Sequence, residues 1–265
     1  MNFNWTLIFD PLFRIPWAVG LIVAILLPLL GTLLRLRDEW LAALGLAHLA
    51  GFSALLGLAI GIPAVLGAVG GALIGASFKT LSQHKGNTVY ALMILFGWSA
   101  TLLVAANTPL GAVIGHTLTE GQLYFATWLH LLAAFILAIL IILVWHWLSP
   151  RIIRSRLFPG HENANILAAW RWHLGFDILI ALGMAIGTTT IGLMGAFALI
   201  FIPPWLGFRL ANNWRNCIWI SSSVGFSAYL LAFISALLLD QPFGPVLVTW
   251  LLGISSLISL YFHVF

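Results

Sequence analysis

Charge is what this sequence has least of. Only 7% of its 265 residues are Asp, Glu, Lys or Arg, while 62% are hydrophobic and mean hydropathy is +1.08. A soluble domain carries about 25% charged residues, so this chain lacks the charge to cover a water-facing surface. Cysteine is nearly absent as well. The single Cys217 lies in an apolar run, which excludes an intramolecular disulfide and marks it as a core residue. Motifs that carry chemistry are also missing. There is no phosphate-binding glycine loop, no H-E-x-x-H, no paired-cysteine metal site and no G-x-S-x-G. The chain is therefore not expected to be an enzyme, and any ATP-driven role would need a separate ATPase chain. Met1 to Leu12 lacks the basic region of a secretory signal peptide and leads straight into a long apolar span.

What the sequence has instead is apolar length. About 20 apolar residues cross a bilayer as a helix. Apolar stretches and their polar breaks place spans at 13–34, 41–61, 64–78, 88–106, 123–147, 173–187, 190–207, 217–239 and 246–263. The expected fold is an all-α polytopic transmembrane helix bundle, one domain over 1–265, with about nine spans. Gly61-Ile62-Pro63 makes the second break and Gly187-Thr188-Thr189-Thr190 the sixth. If those pairs merge into long bent helices, the count falls to about eight.

Basic residues gather in cytoplasmic loops, and this sets the expected orientation. With the N-terminus outside, the inner loops hold Arg35, Arg37, Lys79, Lys85, Arg151, Arg154, Arg156, Arg171, Arg209 and Arg215. That is ten of the 11 basic residues, leaving only Arg14 outside. The N-terminus is thus expected outside and the C-terminus in the cytoplasm, and the basic excess reflects topology, not a nucleic-acid partner. The outer side carries Asp10, Glu120 and Asp240. Trp40, Trp145, Trp147, Trp170, Trp172 and Trp214 fall near span ends, where interfacial anchoring against membrane lipid accounts for them.

Ionisable groups at membrane depth are costly and invite a functional reading. His48 in the second span, His130 in the fifth and Asp177 in the sixth are the candidates for contact with an ion in transit. Each has a plainer alternative. Either histidine can satisfy itself with a hydrogen bond to a neighbour, and Asp177 can reach the inner interface or meet a basic residue such as Arg171. His146, His173 and His263 sit near inner interfaces, where anchoring is the simpler role. Gly67, Gly71 and Gly75, spaced by four, line one face of the third span, where small residues let helix backbones approach. The inner loop 149–172 is the longest inner segment. Pro159-Gly160 breaks it, and Glu162 to Arg171 is expected to form a short helix with Ala164, Leu167 and Ala168 on one side. Such a helix is either an ordinary interfacial element or a docking surface for a cytoplasmic partner.

Four regions, in order, carry a family likeness. They are Leu34-Arg35-Leu36-Arg37 with Leu41 to His48; the small-residue third span through Lys79 to Asn87-Thr88 and Phe96-Gly97; Gly115-His116-Thr117-Leu118-Thr119; and Ile191-Gly192 with Ala198 to Pro204. Together they resemble the permease family of zinc, manganese and iron ABC importers. The resemblance implies a permease subunit in a bacterial cytoplasmic membrane, present as two copies beside two cytoplasmic ABC ATPases. An extracytoplasmic metal-binding protein would deliver the ion. No cofactor would be held permanently; the divalent metal ion is cargo. The family's coupling segment falls on Pro159, Gly160, Glu162 and Ala164, within the loop 149–172. Two positions depart from the pattern. The family's histidine matches His48, but its aspartate falls on Leu44 and its serine on Ala47. A carboxylate and an imidazole at i and i+4 share a helix face and suit a divalent cation, so Leu44 removes the anionic half of the pair. That change leaves room for a non-transporting scaffold of the same fold, or an ABC permease for a non-metal solute.

Overall fold

In the hydrocarbon core no water satisfies peptide groups, so a chain this apolar must form helices or a closed barrel. The computed structural model describes residues 10–81, 87–109, 111, 121, 123–158, 160, 162, 165 and 168–261. Among them are nine long α-helices and no strand. They are α1 (Arg14–Arg37), α2 (Trp40–Ala59), α3 (Ala64–Leu81), α4 (Asn87–Asn107), α5 (Trp128–Leu157), α6 (Trp170–Thr190), α7 (Leu193–Leu210), α8 (Trp214–Leu239) and α9 (Phe243–Tyr261). Eight are long and apolar enough to cross a membrane, and α3 is a shorter apolar helix. With 18 residues, α3 rises about 27 Å, slightly less than a ~30 Å hydrocarbon core.

The two doubtful breaks are both real, so neither pair forms one bent helix. Gly61, at φ +82°, and Pro63 separate α2 from α3. The second break lies later than Gly187–Thr190, because α6 runs on through Thr190. The Thr189 and Thr190 hydroxyls donate back to the carbonyls of Ala185 (2.9 Å) and Ile186 (2.7 Å), which keeps them within the helix. The turn falls on Ile191 and Gly192, whose φ of +93° suits only glycine well.

The fifth span also differs from expectation at both ends. It begins at Trp128, not 123, and continues ten residues beyond 147 to Leu157, with Pro150 inside it. Proline leaves one carbonyl of the preceding turn without its usual partner, and the Arg151 guanidinium donates to the nearby Trp147 carbonyl. The basic residues Arg151, Arg154 and Arg156 therefore ride on a helix and not on a loop. The expected short helix over Glu162 to Arg171 is not present as one element: Ala168 and Ala169 lie outside any helix, and Trp170 and Arg171 belong to α6. Pro159, Ala164, the Gly115–Thr119 motif, Lys85, Glu120 and His263 lie outside the described residues.

Helix ends converge by charge. Arg37, Lys79 and Asp177 meet at one end, and Arg35 stacks over Phe208 of α7 at that same end (5.8 Å). Tyr124 and Asp240 interact at the opposite end. α1 and α6 are the most buried helices, while α4 and α5 turn most of their surface outward. The glycine stripe does what its spacing predicts. A Cβ on Gly67 or Gly71 would strike Ser53 of α2, and one on Gly75 would come 2.5 Å from the Leu49 Cδ1. α3 can lie this close to α2 only because those positions lack side chains.

Candidate functional site

The most concentrated polar chemistry among the described residues lies at the basic end of the bundle. Helix α1 ends at Arg37, where Asp38 adopts a left-handed conformation (φ 57°) and turns the chain into Glu39 and α2. That turn sets Arg37 and Glu39 side by side, facing the end of α3 and the second turn of α6. Arg37 reaches Glu39 Oε2 (2.8 Å) and Asp177 Oδ1 (3.1 Å). Lys79 reaches the same two oxygens, at 2.8 and 2.6 Å. Each cation thus touches both anions, which closes a ring of alternating charge. Thr80 donates to the second Asp177 oxygen (3.2 Å), Lys79 lies over the Tyr90 ring of α4 (5.5 Å), and Arg37 over Phe176 (5.0 Å). Side-chain exposure is only 3% at Asp177 and 7% at Lys79. Burial alone would push the Glu39 carboxyl up, but the Arg37 and Lys79 charges, with hydrogen bonds from Lys79 and Tyr90, hold it below its ordinary range.

Above the ring lies a cavity of about 420 Å³, open to the basic end of the bundle. Arg37, Glu39, Lys79 and Asp177 line it together with Ser155, Arg156, Glu162, Trp170 and His173. Glu162, which lies between α5 and α6, therefore sits at the cavity with the ring. Gly160 makes the turn at φ +91°, and Glu162 is anchored on α6: the Trp172 indole donates to Oε1 (3.0 Å) and His173 Nε2 lies 3.2 Å from Oε2. Of the expected coupling residues, Glu162 thus lines the cavity.

The three transit candidates are not brought together. His48 is half-buried on α2, facing α4 at a crossing where a Cβ on Gly97 would come 2.8 Å from the His48 Cβ. Leu44, one turn earlier, packs on the apolar core. His130 is not at mid-membrane depth. Because α5 starts at Trp128, His130 occupies its first turn and caps it: the Thr127 amide donates to His130 Nδ1 (3.2 Å). Asp177 belongs to the charge ring, and its partners are Arg37 and Lys79, not Arg171, which stacks on Trp170 instead (5.8 Å). Among the described residues no group of three His, Cys, Asp or Glu side chains is arranged to hold a metal ion.

Sequence reasoning missed the ring as a unit. Arg37 and Lys79 count there as loop charges that report topology, and Glu39 carries no weight. The available signal was the depth of Asp177, since a carboxylate inside a span demands a counter-charge. Which cation supplies it depends on how α1, α3 and α6 pack.

The sequence profile of the ABC 3 transport family matches residues 10–263. No curated protein matches the sequence. Among solved structures, the fold is similar to PsaBC from Streptococcus pneumoniae in complex with a Fab, with a TM-score of 0.82 over 96% of this chain and 92% of that one, at 16% identity. It is also similar to a protein described as a metal-chelate type ABC transporter in an inward-facing conformation, with a TM-score of 0.69 over 97% and 91% of the two chains, at 14% identity. At these identities both likenesses speak to the fold.

Proposed function

Since the chain belongs to the ABC 3 transport family, we propose that it is the permease subunit of an ATP-driven importer for divalent metal ions of the zinc, manganese or iron class. It works as two copies in a bacterial cytoplasmic membrane, beside two cytoplasmic ATPase chains, and receives the ion from an extracytoplasmic metal-binding protein. The observation that carries this reading is the family match across nearly the whole chain. The likeness to a metal-chelate type transporter is consistent with it. The permease supplies a path and a shape change, and ATP hydrolysis happens on the partner chains.

In this reading the basic end faces the cytoplasm, as basic residues near span ends favour, and the Gly160–Glu162 segment meets the ATPase. His48 faces the passage between the two copies. Without a carboxylate at position 44 that passage holds the ion weakly, through one imidazole. This is the observation that favours a second reading, in which the chain passes a non-metal solute or serves as a scaffold that does not transport. Metal content of cells with and without the protein tests the proposal. Lower zinc, manganese or iron in its absence supports it; unchanged content of all three contradicts it.

A further inference from the structure

We propose that the Arg37–Glu39–Lys79–Asp177 ring is the inner gate of the permease and that Glu162 holds it shut through α6, which makes Lys79 and Asp177 positioning residues for transport. The proposal builds on the permease reading above. Its first support is the way the ring is closed. Four contacts of 2.6 to 3.1 Å join two cations and two anions so that every charge has both opposite partners. The four residues come from separate parts of the fold: the end of α1, the α1–α2 turn, the end of α3 and the second turn of α6. Tyr90 brings in α4 through Glu39 and Lys79. A lysine that merely anchors a helix end extends its ammonium into water, whereas Lys79 turns inward to a site where it is 7% exposed.

Buried ion pairs stabilise little compared with apolar packing, yet removing one partner strands the other charge at high cost. A closed ring therefore behaves as an all-or-none fastening. Separating α3 from α6 by even a little leaves both a buried cation and a buried anion unpaired, so intermediate openings are disfavoured. The ring also lies where a gate is needed. It floors the 420 Å³ cavity at the basic end. His48 lies nine residues beyond Glu39 in the sequence, about 13 Å farther along α2.

The link to the partner-facing segment is one helical turn. Glu162 is held by Trp172 and His173 at the start of α6, and Asp177 follows His173 by four residues. A turn of helix is rigid over that distance, so a partner that displaces Glu162 moves the point from which Asp177 reaches Arg37 and Lys79. Both ends of the coupling act on one two-state element, as a physical account of transmission requires.

The test uses the full chain alone in lipid nanodiscs, with Cys217→Ala to remove the native thiol and Leu44→Cys as a reporter on α2 beyond the ring, five residues past Glu39. The rate at which a membrane-impermeant maleimide modifies that thiol reads access past the ring. Adding Asp177→Asn is expected to speed modification about tenfold or more, because loss of a buried pair shifts a two-state equilibrium by at least one decade. Adding Lys79→Ala together with Asp177→Ala is expected to do the same, because both charges and the contact between α3 and α6 are removed together, while the Arg37–Glu39 pair (2.8 Å) stays intact and no charge is stranded. Glu162→Gln is expected to speed it in the same direction. An unchanged rate in the double variant, with the protein monodisperse and folded, overturns the gate. Faster modification in the double variant but not in Glu162→Gln overturns the link through α6. Because neither metal nor ATPase is present, failure of the metal-import reading would leave these rates as expected, and failure of the gate would leave uptake intact.

Discussion

The charge ring makes a prediction about stability that differs from ordinary salt-bridge intuition. Asp177 sits 2.6 Å from Lys79, 3.1 Å from Arg37 and 3.2 Å from Thr80, with its side chain 3% exposed. Asp177→Asn keeps the shape but leaves two buried cations to share Glu39. Breaking a buried pair from one side costs about 3–5 kcal/mol, and the remaining Glu39 contacts bring the expected loss to the lower end, about 3 kcal/mol. Lys79→Met with Asp177→Leu removes one charge of each sign and leaves Arg37 and Glu39 paired. Replacing a buried pair by apolar side chains is often neutral or stabilising, so the double variant should lie within about 1 kcal/mol of the parent. The double variant is therefore more stable than the single one, by about 2 kcal/mol or more. Unfolding by sodium dodecyl sulfate in mixed micelles, followed by fluorescence of the 13 tryptophans, measures all three proteins. A double variant as unstable as Asp177→Asn would refute the reasoning, because the two charges would then act through separate contacts and not through each other.

Glu39 gives the same ring a pH dependence. Its carboxyl is held below its ordinary range, so its contribution is full above the unfolded value of about 4.3 and is lost as pH falls through the lower folded value. The stability gap between the parent and Glu39→Gln should be present at pH 7 and close toward pH 3; a gap independent of pH would contradict the assignment. His130→Ala should lower stability by about 1 kcal/mol, the size of a lost helix cap, with uptake unchanged once expression is matched; a loss of uptake would return His130 to the ion path. His48→Ala should reduce metal uptake without reducing membrane abundance, and Leu44→Asp should tighten divalent-ion binding by restoring a carboxylate one turn from the imidazole. Wild-type behaviour in both variants would place the path elsewhere. Glu162→Lys should leave ATP hydrolysis by the assembled complex running while uptake falls, and coupled uptake at the parent rate would remove Glu162 from the coupling route.

Much of the fold could be read from the sequence because the bilayer permits so little else. Apolar runs of bilayer length must be helices, and Gly61 and Pro63 mark a turn for steric reasons that hold in any context. The errors arose where a local rule met a tertiary one. Charged residues ended the fifth span on paper, but an α-helix can carry Arg151, Arg154 and Arg156 out of the membrane, and α5 does so to Leu157. Threonines looked like a break at 188–190, yet their hydroxyls bond back to the preceding turn and the helix continues. The site was less legible. Depth alone singled out Asp177, but its partners are 140 and 98 residues away in sequence and depend on which helices meet. Depth also misled at His130, where a start five residues later than expected turns a mid-span histidine into a cap. His48 packs against Gly97 of α4, a seam that periodicity does not reveal.

The central claim, that this chain carries divalent metal ions across a membrane under ATP control, is tested most directly by reconstitution. The permease, purified with the ATPase that copurifies from its native membrane, is placed in liposomes with its basic, ATPase-binding end outward. The exit of radiolabelled zinc, manganese or iron, preloaded inside together with the extracytoplasmic metal-binding protein, is then followed against an ATP-free control after ATP is added outside. The account predicts ATP-dependent transfer of at least one of these ions toward the ATPase side, abolished when the ATPase is inactivated. ATP hydrolysis by an intact complex with no movement of zinc, manganese or iron would contradict it.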